Sequence, residues 1–240
     1  AAIRLHTTVQ SLNETDDGIA AELSADGQTE SATFDRVLVC VGRMPNTEDI
    51  GLENAGVPVG EDGFVQVDRC QRTADERVLA IGDVTGQPML AHKAFHEGYV
   101  AAEQAAGRPG HFDRRAIPAV MFTDPEVAWT GLTETEASER GRKVDVARYP
   151  WSASGRAQSL GRAEGLTKML FDPDTGRVVG VGIVGPEAGE LIAEGTLAIE
   201  TGCVAHDLGD TIHPHPTLSE TLAGAAEVHL GTATEVFRKR

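Results

Sequence analysis

Over residues 1–41 apolar and polar positions alternate in short stretches, broken at Asp17-Gly18 and Asp26-Gly27. Period-two alternation punctuated by Asp-Gly predicts a meander of hairpins. The meander ends in Val37-Leu38-Val39-Cys40-Val41, an uninterrupted apolar run of the kind that forms a buried strand. Turn formers occupy residues 42–47, and short extended segments follow up to Val67. A second apolar run, Val78-Leu79-Ala80-Ile81, stops at Gly82-Asp83. From residue 88 to 106 the pattern turns helical, with Leu90, Ala94, Tyr99, Ala101 and Ala105 offered to one side. Gly107-Arg108-Pro109-Gly110 stops that helix, and residues 107–116 read as a linker.

The remainder predicts a separate α+β unit. Its candidate strands are 118–122, 127–130, 144–149, 166–171 and 177–184, the last two joined by the turn Asp172-Pro173-Asp174-Thr175-Gly176. Thr133 followed by Glu136 is a capping box that opens a helix to Arg140, with Gly141 as its stop. A second helix is predicted over 187–201, ended by Gly202, and a last one from Pro216 to about Leu230.

Length and composition narrow the class. At 240 residues the chain exceeds the usual domain of roughly 100 to 150 residues, so one large domain or two smaller ones both fit. With 40% hydrophobic and 24% charged residues it reads as a globular protein, and no window approaches the ~20 apolar residues of a bilayer span. The start, AAIRLHTTVQ, lacks a basic segment followed by an apolar one, so the cytoplasm is the expected location. Thirty-seven acids against 21 bases give a formal charge of -16, a surface that repels phosphate backbones, so no nucleic-acid partner is expected. The bases are 17 Arg and 4 Lys; a high-salt cytoplasm and a GC-rich genome both account for that balance. Cys40, Cys70 and Cys203 are too far apart for a CxxC or CxxxxC pair and read as buried thiols.

Three strings carry candidate chemistry. In Thr211-Ile212-His213-Pro214-His215-Pro216-Thr217-Leu218-Ser219-Glu220, each proline holds the histidine before it extended. His215 then sits at a helix entrance with Glu220 a little over one turn inside, where a carboxylate can fix which ring nitrogen carries the proton. A capping or core histidine is the plainer reading. A metal reading through His213 and His215, with His206 and His229 not far off, lacks a cysteine or closely spaced carboxylate to complete a ligand set, so no metal is expected. The second string is Ala80-Ile81-Gly82-Asp83, then Gly86, then residues 88–94, Pro-Met-Leu-Ala-His-Lys-Ala. The third is residues 39–47, in which Arg43 and Asn46 suit a surface turn equally well. A G-x-G-x-x-G match at Gly180, Gly182 and Gly185 is set aside. Valine and isoleucine fill its x positions, and a hairpin precedes it in place of the start of a βαβ unit.

Residues 215–220, His-Pro-Thr-Leu-Ser-Glu, resemble the catalytic signature of the flavin-dependent disulfide oxidoreductases, in the form carried by the dihydrolipoyl dehydrogenases. The resemblance extends over essentially the whole chain. It implies that His215 and Glu220 form an acid/base dyad, and that Asp83 hydrogen-bonds the ribityl chain of FAD. It further implies that Met89, Leu90, Ala91 and His92 open a helix whose positive end faces the flavin, and that Gly42 lies near NAD. By the same resemblance residues 1–46 end an α/β NAD-binding domain, 47–113 form an FAD-contacting segment, and 114–240 form an α+β dimerisation domain. A homodimer acting on the lipoyl groups of a 2-oxo acid dehydrogenase complex is the implied assembly. The family's amino-terminal FAD fingerprint, NAD fingerprint and CxxxxC pair are not in the sequence, which reads as the carboxyl-terminal portion of a longer enzyme. Another disulfide reductase, a transhydrogenase, or a non-catalytic dimerisation module remain as alternatives.

Overall fold

The computed structural model describes residues 1–236, and the chain divides into two units, Ala1–Met44 and Pro45–Arg240. In the first, β1 (Thr7–Thr15), β2 (Gly18–Ala25) and β3 (Gln28–Phe34) form an antiparallel meander that turns at the two Asp-Gly signals. Gly18, at φ 128°, lies so close to β3 that a Cβ would stand 2.6 Å from the Phe34 carbonyl oxygen. The strand expected over residues 37–41 is not formed. The run is irregular, with Leu38 87% and Val41 93% exposed, and Cys40 is exposed rather than buried. A central strand exists through ladder partners and cover on both faces, and the described residues supply this run with neither.

The second unit begins with irregular chain pinned by short bridges, Val59 to Val65 and Arg72 to Leu79. A turn of 3₁₀ helix, Gly82–Thr85, leads to α1 (Ala91–Ala105). That helix opens three residues later than expected because Leu90 is extended (φ −130°, ψ 134°) and serves as its N-cap. Its buried side is also not the predicted one: Lys93, Glu97 and Val100 are covered, whereas Tyr99 is 67% exposed.

Beyond residue 116, the expected α+β unit is present. Strands β4 (Ala119–Met121), β5 (Glu126–Gly131), β6 (Asp145–Pro150), β7 (Leu166–Phe171) and β8 (Val178–Gly185) make one antiparallel sheet in the order β4-β5-β8-β7-β6. The Asp172 carboxylate organises the β7–β8 turn by accepting from the Asp174 and Thr175 amides and the Thr175 hydroxyl. Helix α2 (Glu134–Glu139) carries the predicted Thr133/Glu136 capping box. Two short helices escape periodicity, α3 (Gly155–Leu160) and α5 (Ala205–Gly209). Helix α4 (Ala188–Thr201) and helix α6 (Glu220–Leu230) enclose a core that includes Trp151, Met169, Phe171, Ile183, Ile192 and Leu222. No helix among the described residues is long and apolar enough to cross a membrane.

Two local features bear on function, the first a departure from expectation and the second an expectation met. Helix α6 starts at Glu220, not Pro216, because residues 217–219 form a turn closed by side chains. Thr217 donates its amide to Glu220 Oε2 at 2.7 Å and its hydroxyl to the Pro214 carbonyl at 2.7 Å. The G-x-G-x-x-G string is β8 itself. A Cβ at Gly180 would strike the Leu132 backbone and one at Gly185 the Trp151 ring, so these glycines serve close packing.

Trp151 ties the sheet to α6. Its Nε1 donates to Thr167 Oγ1 at 2.9 Å, Thr167 donates to Thr221 Oγ1 at 2.8 Å, and Thr221 donates to the Leu218 carbonyl at 2.7 Å. All three side chains are fully buried. Thr167→Val preserves shape but leaves the indole N–H without an acceptor, and should cost about 1–3 kcal/mol. A lower urea midpoint at unchanged slope is the expected readout; an unchanged midpoint would show that the chain of hydroxyls contributes nothing.

Candidate active site

The turn that delays α6 also aims its first side chain. Glu220 Oε2 is taken by the Thr217 amide, which leaves Oε1 to accept from His215 Nδ1 at 2.9 Å. A carboxylate accepts, so Nδ1 carries the proton and Nε2 presents its lone pair outward. The His215 side chain is 77% exposed, as a group that exchanges protons with an arriving molecule must be. Residues 213–216 are neither helix nor strand, so both histidines are carried on irregular chain ahead of α6.

His215 and Glu220 line a cleft of about 240 Å3 with Tyr149, Ser154, His213 and Glu227. Burial pushes the Tyr149 hydroxyl up to about 12, aided by the carboxylates of Glu235, Glu220 and Glu227. It therefore stays neutral and donates to the Ala153 carbonyl at 3.2 Å. Burial likewise raises Glu227, with Glu235 adding to the effect. His213 lies beneath, its Nε2 2.8 Å from Glu194 Oε1 on α4. Burial alone would lower its pKa, but the bonds to Glu194 and the Thr211 carbonyl outweigh that and raise it above the ordinary 6.5. The histidines considered for a metal are dispersed: His206 sits 3.8 Å from Asp210, and His229 stacks on Phe171. No cluster of three or more metal-binding side chains occurs among the described residues.

None of the other predicted residues lines this cleft. Asp83 lies in the Gly82–Thr85 turn, Met89 is buried, Leu90 is the N-cap of α1, and Ala91 is its first residue. His92 Nε2 lies 2.6 Å from the Pro118 carbonyl, beside a cleft of about 490 Å3 between α1 and α4. Gly42 belongs to the first unit; its φ of 123° is one that L side chains rarely adopt. No side-chain hydrogen bond caps α1 and no acid stands in its first turn, so that turn adds no negative charge of its own to the positive end of the dipole, an arrangement that suits an anionic group.

Sequence reasoning passed over the residues that hold the Asp83 turn. Lys93 Nζ and Glu97 Oε1 form a 2.9 Å ion pair with side chains 7% and 5% exposed. Glu97 Oε2 also accepts from the Gly82 amide at 2.7 Å, and Lys93 donates to the Gly86 carbonyl at 3.1 Å. Opposite charges four residues apart within a helix were the available signal. The bond between His213 and Glu194 was likewise missed, since nothing local relates residues 19 apart in different elements.

Comparison with known proteins places this geometry. Residues 117–226 match the model described as the pyridine nucleotide-disulphide oxidoreductase dimerisation domain, and residues 2–98 match the pyridine nucleotide-disulphide oxidoreductase model. The chain belongs to the pyridine nucleotide-disulphide oxidoreductase family. Among similar curated proteins are the dihydrolipoyl dehydrogenases of Thermus scotoductus, 52% identical over 94% of this chain and 49% of that protein, and of Haemophilus influenzae, 47% identical over 98% and 49%. That of Haloferax volcanii is 46% identical over 94% of this chain and 48% of its own length. The chain thus spans about half the length of the curated relatives it matches. Among solved structures, LpdA from Mycobacterium tuberculosis superposes with a TM-score of 0.82 at 29% identity, over 92% of this chain and 48% of that one. The HOCl-induced flavoprotein disulfide reductase RclA from Escherichia coli gives 0.80 at 26% identity, over 92% and 50%.

Within this family fold, the Lys93–Glu97 pair should govern the Asp83 turn. Glu97→Ala strips the Gly82 amide of its acceptor and leaves Lys93 buried without its partner, a loss of about 3–5 kcal/mol. Hydrogen exchange should then show the Gly82 amide deprotected. Unchanged protection would mean the turn is held by something else.

Proposed function

We propose that the chain is the carboxyl-terminal half of a dihydrolipoyl dehydrogenase and that His215 and Glu220 are its acid/base pair. The observation that carries the reading is the 2.9 Å bond from His215 Nδ1 to Glu220 Oε1, which leaves an exposed Nε2 as proton acceptor. Relatives that bear the dihydrolipoyl dehydrogenase name at 46–52% identity support the substrate class.

The chemistry follows from the state of the substrate. A thiol with a pKa of about 8.5 is mostly protonated at neutral pH, and only its thiolate attacks a disulfide. His215 Nε2 accepts the proton of one dihydrolipoyl thiol, the thiolate attacks a disulfide outside this chain, and the second thiol closes the lipoyl ring. His215 returns the first proton to the protein sulfur released as the mixed disulfide forms, then takes the second thiol's proton as the ring closes and passes it to the other protein sulfur. The dithiol is thus oxidised and the protein disulfide reduced, with both protons conserved. Glu220 holds the imidazole in the tautomer this requires.

FAD and NAD fit the remaining features, FAD supplying the electron relay to NAD when bound. Asp83 suits a ribityl hydroxyl, and the uncapped start of α1 at Leu90, Ala91 and His92, with Met89 beneath, suits the electron-rich edge of a reduced flavin. Gly42 is the assigned NAD contact. In this reading residues 1–46, 47–113 and 114–240 are the end of the NAD domain, the FAD-contacting segment and the interface domain. The protein works as a homodimer in the cytoplasm, on lipoyl groups of a 2-oxo acid dehydrogenase complex. Likeness to RclA favours, as a second reading, a reductase for another disulfide.

Dihydrolipoamide-dependent NAD reduction by the full-length protein tests the choice. His215→Gln should lower the rate by two or more orders of magnitude with flavin still bound. An unaltered rate would remove the dyad assignment. Turnover of other disulfides but not of lipoamide would favour the second reading.

A further inference from the structure

Two histidines flanking one proline stand in opposite hydrogen-bonding situations. His215 keeps one ring nitrogen open, and His213 keeps neither. The His213 side chain is 7% exposed, with Nδ1 2.9 Å from the Thr211 carbonyl oxygen and Nε2 2.8 Å from Glu194 Oε1. A carbonyl has no proton to give, so Nδ1 donates. An ionised carboxylate only accepts, so Nε2 donates too, and a ring that donates from both nitrogens is an imidazolium. The alternative is a neutral ring accepting from a protonated Glu194. That would leave the proton on the weaker base, given ordinary values of ~6.5 for imidazole and ~4.3 for a glutamate.

We infer that His213 is a protonated positioning residue, whose charged bond to Glu194 of α4 pins residues 211–216 and so sets where His215 presents Nε2. The charge assignment stands on hydrogen-bond geometry; its consequence for catalysis rests on the acid/base reading proposed above. Other groups agree with a cation at this place. Carboxylates face it from two packed elements, Glu194 on α4 and Glu220 and Glu227 on α6, and His215 is the only other base on its own segment.

The sign of the pH dependence follows. Because the folded-state value lies above the ordinary 6.5, the pin is fully present below that pH and is lost as pH rises through the folded value. Once the ring gives up a proton, one of its two acceptors faces a lone pair, and the segment carrying His215 loosens. An alkaline fall in activity then arises outside the dyad.

Nitrogen-15 NMR of histidine-labelled chain, titrated from about pH 6 to about pH 9, reads the ring directly, since ordinary imidazoles lose their charge in that range. His213 should show two protonated nitrogens after exposed histidines have become neutral. A neutral ring with one bare nitrogen at neutral pH overturns the assignment, whatever the enzyme does.

Two substitutions in the full-length protein test the positioning role. In Glu194→Gln the carboxamide N–H can donate to a neutral Nε2, so the pin survives without charge and the alkaline fall should disappear. Glu194→Ala removes the pin at every pH, and should lower kcat/KM about tenfold with no alkaline fall left from this source. Identical behaviour of the two variants, or a wild-type pH profile in both, overturns the positioning role. If His215→Gln is silent while the NMR result holds, it is the acid/base reading that fails.

Discussion

The hydrogen-bonded chain from Trp151 through Thr167 and Thr221 to the Leu218 carbonyl is the constraint on which the rest of the site depends. Helix starts are loosely held unless something satisfies their free amides, and Ser219 makes no side-chain cap bond at the start of α6. The restraint comes from the sheet instead. Thr221 is fully buried, so the backbone of the preceding residue is fixed, and the Glu220 carboxylate has a set direction. One oxygen meets the Thr217 amide and the other meets His215. Each neutral bond in such a chain is worth only about 0.5–1.5 kcal/mol net; its larger contribution is to allow a single placement of the helix. The close approach that makes this possible is supplied by glycine, since Gly165 and Gly185 lie where any Cβ would enter the Trp151 ring.

How much of this was legible in the sequence depended on whether the deciding interaction was local. The strands of the second unit declare themselves because their turns and caps are short-range chemistry, as with the Asp172 turn and the Thr133/Glu136 box. Residues 37–41 misled because apolarity records what ought to cover a segment, and the described residues contain no cover for it. The buried side of α1 misled for the opposite reason. Lys93 and Glu97 count as polar one at a time but are buried as a pair, each offsetting the cost of the other. Pro216 is a good first helical residue, yet that preference gives way to the carboxylate and hydroxyl bonds that close the turn before Glu220. The pairing of His215 with Glu220 could be expected from a string resembling a known signature. The bond between His213 and Glu194 could not, because it joins a loop to α4 through tertiary packing alone.

The two histidines show how solvent access divides roles between residues of one kind. Both meet a glutamate through a ring nitrogen, at 2.8 Å for His213 and 2.9 Å for His215. What differs is the other nitrogen, which faces a carbonyl in His213 and solvent in His215, with side chains 7% and 77% exposed. A ring closed at both ends cannot take a proton from an arriving molecule, and is suited to hold a charge in place. A ring closed at one end can.

Charge on the closed ring has to be offset, since burying a lone cation is costly. Glu194, Glu220 and Glu227 provide the offset around His213. The acidity of the chain, -16 overall, thus has a local structural use besides its effect on solubility. A cleft crowded with carboxylates would repel itself if empty of cations, and one buried imidazolium relieves that repulsion while tying α4 to the segment that leads into α6. Removing either Glu194 or the His213 charge would therefore act on the dyad at a distance, through the path of the backbone from Thr211 to Pro216 and not through any contact with substrate.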